Sequence, residues 1–204
     1  MIDRFAYSGV DARRLVHETQ IPAGSEVVDL CSGVGFSSAP NAKVTCVDTS
    51  HAMLSMARLR HRVGRFEVGN AEDWGESRCC DIATLMYATH EMPQDGRRTV
   101  LRNAMRLARD SVLVVDIWPG FEPSPMMLSG EPYVLDYLAH IEDDVDFVTR
   151  HDVDGWTVAR VDVVEEHVRM WRLDRKYSSL ACSCGDGGDK MFFLYQAGWQ
   201  ALLR

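Results

Sequence analysis

Short apolar runs and helical patterns alternate along most of the chain. Five runs are short, apolar and bounded by polar or turn-forming residues, as buried parallel strands are; they cover residues 26–30, 43–47, 65–68, 81–87 and 111–117. Apolar residues three and four positions apart predict helices; these cover roughly the first 20 residues and residues 50–60, 94–108 and 131–150. Residues 118–130 contain three prolines and two glycines, which predict a loop.

Two later segments alternate apolar and polar residues instead. Residues 156–164 and 167–173 are separated by a short polar link and predict an antiparallel hairpin. Strands that alternate with helices and end in such a hairpin predict a three-layer α/β sandwich with a mostly parallel, seven-stranded sheet. We assign residues 1–175 to this domain and residues 176–204 to a C-terminal tail. The aromatic segment at residues 191–203 predicts a short buried helix, with packing against its own domain favoured over dimerisation.

Composition and charge narrow the range of partners. The chain has 204 residues, of which 46% are hydrophobic and 25% charged, an ordinary globular mixture. Its net charge of −8 repels phosphate backbones, so we expect no nucleic-acid partner. The arginines between residues 58 and 65 and between residues 97 and 109 lie on predicted helices or at their ends, and we interpret them as solvated helix faces.

The apolar pattern indicates neither a leader segment nor a membrane span. We therefore expect a cytoplasmic protein that has reduced cysteines and does not bind membranes. Cys79 and Cys80 are adjacent, and one residue separates Cys182 from Cys184. Zinc-binding pairs are usually separated by two to four residues, so we expect no metal site.

The most informative stretch follows the first predicted strand. Residues 27–37 read VVDLCSGVGFS, a strand that ends at a turn with glycines at Gly33 and Gly35, after which a short helix is expected. Glycines let a backbone approach a ligand closely and adopt positive φ. Asp48 comes nineteen residues after Asp29, at the end of the second strand, where a carboxylate can accept hydrogen bonds from ribose hydroxyls. A dinucleotide-binding turn requires a third glycine, which this stretch lacks, so the pyrophosphate fingerprint fails.

Four stretches in order resemble the motifs of class I S-adenosylmethionine-dependent methyltransferases. They are residues 27–37, residues 44–54, residues 66–74 and the strand at residues 81–87. The resemblance covers roughly residues 10–175 and is closest to the small-molecule branch that includes the ubiquinone and menaquinone methyltransferases. It implies a Rossmann-like fold and S-adenosyl-L-methionine as the cofactor.

The resemblance also implies a set of cofactor-binding residues. The first acid and the glycine turn hold the amino-acid end of the cofactor, the second acid holds the ribose, and the third motif holds the adenine. Carried onto this chain, the set is Asp29, Cys31, Ser32, Gly33, Gly35, Asp48, Thr49, Met53, Asn70, Ala71, Glu72, Met86 and Tyr87.

Three features depart from the family pattern. Cys31 replaces its first glycine, and Asn70 stands where the family usually has Asp, although an amide oxygen still accepts a hydrogen bond from the adenine amino group. Between Gly35 and Val44 there is room for only one to two helical turns, and Pro40 stops them. We therefore expect that side of the cofactor site to be open or covered by another element.

Residues after the fourth strand are expected to face the methyl acceptor. His90 has a suitable intrinsic pKa for a general base, although a capping or packing role is favoured over that one. Glu91 is a candidate to orient His90 or to bind a cationic substrate. Tyr7 is interpreted as part of a lid or of the core, and Trp118 as one wall of the acceptor pocket or as a residue that buries its loop.

The leading hypothesis is an enzyme that moves the methyl group of S-adenosylmethionine to a small-molecule acceptor by in-line displacement. The pattern leaves open whether oxygen, nitrogen, sulfur or carbon is methylated, and whether the protein is a monomer or a homodimer. Two alternatives use the same pocket. One is an aminopropyl-type group transferase, and the other is a non-catalytic protein that binds the cofactor or a partner.

Overall fold

The computed structural model describes residues 10–60, 64–151 and 155–176. These residues form one seven-stranded sheet of order β3-β2-β1-β4-β5-β7-β6. The strands are β1 (Glu26–Leu30), β2 (Lys43–Asp48), β3 (Arg65–Val68), β4 (Cys80–Met86), β5 (Ala108–Ile117), β6 (Trp156–Val164) and β7 (Val168–Arg175). The helices are α1 (Ala12–Gln20), α2 (His51–Arg60), α3 (Gln94–Leu107), α4 (Pro125–Gly130) and α5 (Val134–Arg150), with a 3₁₀ turn at Thr89–Glu91.

The first five strands are parallel, and β7 is antiparallel to both β5 and β6. Buried side chains cover both faces of the sheet. Leu30 and Leu85 belong to the core that includes residues of α3 and α5. Val27 and Ile82, from the same two strands, belong to the core that includes residues of α1 and α2. The predicted three-layer α/β sandwich with a C-terminal antiparallel hairpin is confirmed.

Several element boundaries differ from the prediction, and at two places the type of element changes as well. The predicted helix at residues 94–108 ends at Leu107, and β5 begins directly at Ala108 rather than at Ser111. The predicted loop at residues 118–130 contains α4, which begins at Pro125. Its start is stabilised locally, because the Ser124 hydroxyl accepts a hydrogen bond from the Met127 amide at 3.2 Å and proline suits a first helical position.

The crossover from β1 to β2 has no helix, so the short helix predicted after the glycine turn is wrong. Helix α1 packs here instead. The side chain of His17 is buried, and its Nε2 donates to the backbone oxygen of Ser37 at 2.9 Å. Arg13 lies one turn earlier, and its Nε donates to the Ser37 hydroxyl at 3.4 Å. The expectation that another element covers this side is therefore met by α1.

The interpretation of the second arginine group as a solvated face is wrong, most clearly for two of its members. Arg97 is fully buried, and its Nε donates to Asp144 Oδ2 at 2.7 Å across the α3–α5 contact. Arg106 is half-buried and donates to the backbone oxygens of Trp74 and Gly75 at 3.0 and 2.9 Å. The spacing of charged residues along a helix does not show whether they face solvent or pair with other groups, because those groups come from distant segments.

No helix in the described ranges is long and apolar enough to cross a membrane. The same ranges contain no group of three or more His, Cys, Asp or Glu side chains suited to a metal ion. Tyr7 and the tail from residue 177 onward lie outside the described residues.

Candidate active site

The carboxyl ends of β1, β2, β4 and β5 lie at one edge of the sheet. The chain runs from β1 outward through β2 and β3 and then returns to β4 on the other side of β1. Ligands of open α/β sheets bind in the crevice that such a reversal creates. The turns after these strands carry most of the residues that the sequence predicts for the site.

The turn after β1 has a backbone that few side chains tolerate. Cys31, Gly33 and Gly35 all have positive φ, at 56°, 53° and 79°. The Ser32 amide donates to the Val47 backbone oxygen at 3.0 Å, which joins the turn to β2. A Cβ placed on Gly33 would meet no atom within 4 Å, so the backbone there faces open space. This is the surface against which a ligand can pack closely.

Asp48, at the end of β2, holds the turn in place. Its Oδ2 accepts a hydrogen bond from the Gly33 amide at 2.8 Å, and its Oδ1 accepts one from the Ser50 amide at 2.8 Å. A carboxylate oxygen has two lone pairs, so each oxygen retains capacity for a ligand hydroxyl. Asp48 therefore shapes the turn and can also bind a ligand.

Asp29, near the end of β1, is buried. Its carboxylate accepts hydrogen bonds from Thr84 at 2.9 Å and from Ser38 at 3.5 Å. Burial raises the pKa of Asp29 to about 7, and the hydrogen bond from Thr84 and the charge of Arg13 only partly offset this effect. A buried carboxyl with a pKa near neutrality favours a cationic ligand, because such a ligand stabilises the ionised form.

Arg13 of α1 lies beside the candidate site residues, although sequence reasoning missed it. Its guanidinium carbon lies 4.0 Å from the ring centroid of Tyr87, the residue that follows β4. Tyr87 itself has a positive φ of 56°. No local pattern around Arg13 indicates this position, because it depends on α1 packing over the crossover between β1 and β2.

The turn after β3 forms an exposed rim. Asn70 Oδ1 accepts a hydrogen bond from the Glu72 amide at 3.1 Å, and both residues are exposed, whereas Ala71 between them is buried. Thr49 and Met53 are also exposed, on the neighbouring segment after β2. Met86 is buried at the end of β4. The predicted cofactor residues thus lie on the turns that surround one crevice.

His90 lies in the 3₁₀ turn after β4, buried, with one ring nitrogen bound to Asp116. Its Nδ1 lies 2.6 Å from Asp116 Oδ1, near the end of β5. Asp116 is fully buried and also accepts hydrogen bonds from three amides and from the Thr89 hydroxyl; the amides are those of Thr89, His90 and Ile117. Since the carboxylate accepts from Nδ1–H, the Nε2 atom is the one left for chemistry.

Two glutamates lie near the other ring nitrogen. His90 Nε2 is 3.4 Å from Glu131 Oε2 and 4.0 Å from Glu91 Oε1. Burial lowers the pKa of His90, but the charge and hydrogen bond of Asp116 and the charges of both glutamates outweigh it and raise the pKa above its usual value. Sequence reasoning missed Asp116 and Glu131. The one signal for Asp116 was an acid inside the apolar run of β5.

The acceptor side adjoins the glycine turn. The pKa of Cys31 is raised to about 12, first by burial and then by the charges of Asp48, Asp29 and Glu91. Glu91 is therefore close enough to act electrostatically on the turn after β1. Trp118 lies farther along, where its ring packs over Gly120 and lies 6.0 Å from the guanidinium carbon of Arg169. Within the described part of the chain, no ring contact or hydrogen bond joins Trp118 to His90.

Comparison with known proteins agrees with this arrangement. Residues 27–111 match the family model described as "Methyltransferase domain". This segment runs from β1 into β5 and contains the glycine turn, Asp48 and His90. This segment of the chain is therefore similar to a methyltransferase domain. A trans-aconitate 2-methyltransferase of Variovorax paradoxus (strain S110) is 31% identical to this chain over 113 residues, which are 52% of this chain and 43% of that relative. The match thus spans less than half the length of the curated relative.

Solved methyltransferases share the fold at low sequence identity. A TehB-like S-adenosylmethionine-dependent methyltransferase from Corynebacterium glutamicum is 14% identical, with a TM-score of 0.60 over 86% of this chain and 94% of that one. The magnesium protoporphyrin IX methyltransferase of Synechocystis PCC 6803 was solved with bound S-adenosylhomocysteine. It is 17% identical, with a TM-score of 0.56 over 81% of this chain and 80% of that one. At these identities the likeness to solved structures shows the fold alone. The matched domain and the curated relative do not favour the aminopropyl-type and non-catalytic alternatives.

Proposed function

We propose that the protein transfers the methyl group of S-adenosylmethionine to a small-molecule acceptor. The observation that carries the proposal is the glycine turn after β1, which faces open space and is held by hydrogen bonds from Gly33 and Ser50 to Asp48. When bound, S-adenosylmethionine supplies a methyl group that its positive sulfur has already activated. The protein's task is then to hold the acceptor in line with that group and to manage its proton.

The residues at the crevice suit each part of this cofactor. Asp48 has lone pairs for the ribose hydroxyls, and the backbone at Gly33 and Gly35 gives the close approach that the amino-acid end requires. We propose that Asp29 receives the ammonium and that Arg13, above Tyr87, attracts the carboxylate. The exposed rim of Thr49, Met53, Asn70 and Glu72, with Ala71 between the last two, offers a surface for the adenine. Cys31, Ser32 and Met86 complete the proposed binding set.

His90 is the proposed general base. Asp116 holds its Nδ1, so that Nε2 accepts the acceptor's proton as the new bond to the methyl carbon forms. Glu91 lies beside it, and Trp118 is the proposed outer wall of the acceptor pocket. The Tyr137 hydroxyl donates to the Ile117 backbone oxygen at 2.6 Å, so it is already engaged and takes no part in proton transfer.

Replacement of Asp48 tests the cofactor site. We expect Asp48→Ala to weaken binding of S-adenosylhomocysteine by about 10- to 150-fold, since hydrogen bonds to a charged group contribute about 1.5–3 kcal/mol. Titration calorimetry measures the change, and thermal melting controls for disruption of the turn. Asp73→Ala is the matched control, because Asp73 is an exposed acid near the same edge. Undiminished binding in Asp48→Ala, or tight binding of NAD by the unmodified protein, would overturn the assignment.

A further inference from the structure

The acceptor end of the crevice carries more negative than positive charge. Glu91 and Glu131 both approach His90 Nε2, and Asp116 lies behind its other nitrogen. Within the described part of the chain, neither glutamate has an arginine or lysine in ion-pair range. Arg97 is engaged by Asp144 and Asp136. An anionic acceptor would therefore meet repulsion from both glutamates, which only a protonated His90 offsets.

Glu131 is held in place by its backbone rather than by its side chain. Its amide donates to the Met127 oxygen at 2.9 Å, and its own oxygen accepts from the Val134 amide at 3.3 Å. The residue thus bridges the end of α4 and the start of α5. Its Oε2 atom is buried and has no hydrogen-bond partner in the described structure, although it lies 3.4 Å from His90 Nε2.

While His90 is neutral, Glu131 Oε2 is a buried carboxylate oxygen without a donor, so the position calls for a ligand group that donates hydrogen bonds. Neutral His90 adds a second acceptor at Nε2, 3.4 Å away. A hydroxyl has one hydrogen and satisfies only one of the two acceptors, and a carboxylate has none at neutral pH. A protonated primary or secondary amine has at least two hydrogens and a positive charge, so it satisfies both.

Resting on the proposed function, we propose that the methyl acceptor is a primary or secondary amine, whose nitrogen is held between Glu131 Oε2 and His90 Nε2. The ammonium gives one proton to Nε2. It keeps another, which stays hydrogen-bonded to Glu131. The freed lone pair forms the nitrogen–carbon bond to the methyl group, while the sulfur–methyl bond breaks and leaves its electron pair on sulfur. The products are a methylated ammonium, a neutral thioether and protonated His90, which returns its proton to solvent.

The surroundings favour an amine attached to an apolar body. The Tyr137 ring meets the His90 ring edge-on at 6.1 Å between centroids. Met92, Phe121 and Met127 are partly buried and pack against the core that contains Tyr137. Such side chains bind an apolar skeleton while the glutamate fixes its charged end.

Methyl-labelled S-adenosylmethionine identifies the acceptor class. A cell extract is separated by ion exchange into cationic, neutral and anionic small-molecule fractions, and each is incubated with the protein. We expect label in the cationic fraction, and we expect acetylation of that fraction with an N-hydroxysuccinimide ester to abolish it. Label in an ester, ether or thioether would overturn the amine proposal and leave the methyltransferase proposal standing. Absence of label from every fraction would contradict both.

Binding of the identified amine then tests Glu131 without relying on turnover. We expect Glu131→Gln to weaken binding of the amine to the protein saturated with S-adenosylhomocysteine by about 10- to 100-fold, the range for a lost charge-assisted hydrogen bond. Affinity for S-adenosylhomocysteine alone stays unchanged. Glu122→Gln, on the exposed part of the same segment, is the control. Equal affinity for the amine in both variants would contradict the role of Glu131.

Discussion

At the scale of single residues, Cys31 combines a side chain with a backbone that suits glycine. Its φ of 56° lies in the left-handed region of backbone conformation, where an L-residue is disfavoured by about 1–2 kcal/mol. The thiol packs against the core of α3 and α5, so the side chain also contributes contacts. Strain next to a ligand site is a known feature of binding turns.

Two substitutions separate the strain from the packing. Cys31→Gly and Cys31→Ala both remove the thiol, and they differ only in the presence of Cβ. Relief of strain exceeds the extra chain entropy of glycine, so we expect the Gly variant to be about 1 kcal/mol more stable than the Ala variant. Denaturant unfolding measures this difference. An Ala variant as stable as the Gly variant would show that the turn relaxes and stores no strain.

The raised pKa of Asp29 predicts how cofactor binding depends on pH. In the folded protein without ligand this carboxyl has a pKa of about 7, well above its ordinary value of 3.8. Its burial therefore favours the protonated form, and its contribution to folding stability falls as pH rises through that interval. A cationic group at Asp29 requires the ionised form, so binding becomes stronger as pH rises.

We expect affinity for S-adenosylhomocysteine to increase about tenfold between about pH 6 and about pH 8 and then to level off. Calorimetry in buffers of different ionisation enthalpy counts the proton released. Asp29→Asn is the reference, because the ligand's own amino group titrates equally in both proteins. If the two proteins show the same dependence on pH, Asp29 does not face the ammonium.

At the scale of elements, Asp116 joins the end of β5 to the 3₁₀ turn after β4. One carboxylate accepts five hydrogen bonds there, including that of His90 Nδ1. The His90 charge and these hydrogen bonds outweigh the effect of burial and hold the pKa of Asp116 below its usual value. The junction thus fixes both the position and the protonation of the proposed base.

Asp116→Asn is expected to change the pH profile as well as the rate. Loss of the negative charge lowers the pKa of His90, so the rise of kcat/KM with pH shifts to lower pH. The plateau falls by about 10²–10⁴-fold because the imidazole is no longer oriented as a base. Steady-state kinetics over pH, with melting as a control for folding, measure both. A lower plateau without a shift in the profile would assign Asp116 a purely structural role.

At the scale of the whole molecule, the sequence predicts the architecture better than the site. The strands of the parallel sheet are short runs without polar alternation, and the last two alternate, so their order and type follow from pattern alone. Asp29, Gly33 and Asp48 follow from their positions at strand ends. Arg13 and Glu131 do not, because each reaches the site through tertiary packing, over the β1–β2 crossover and between α4 and α5 respectively. The buried Arg97 escaped prediction for the same reason.

Ligand binding is expected to stabilise the molecule as a unit, since the crevice draws on β1, β2 and β4. At one hundred times its dissociation constant, S-adenosylhomocysteine adds about 2.7 kcal/mol, which raises the Tm of a chain this long by about 5–10 °C. Thermal melting with and without ligand measures the shift, and NAD at the same concentration is the control. A comparable shift with NAD would indicate a dinucleotide site.

The position of β7 inside the sheet has a consequence for biosynthesis. β7 is the last described strand to be translated, yet it lies between β5 and β6. While a ribosome is still making residues 168–175, the emerging β5 has a free edge of unpaired amides and carbonyls along its valine-rich run. Such edges recruit other strands, so nascent chains that stall or terminate before this point are the ones most prone to aggregate and to need a chaperone.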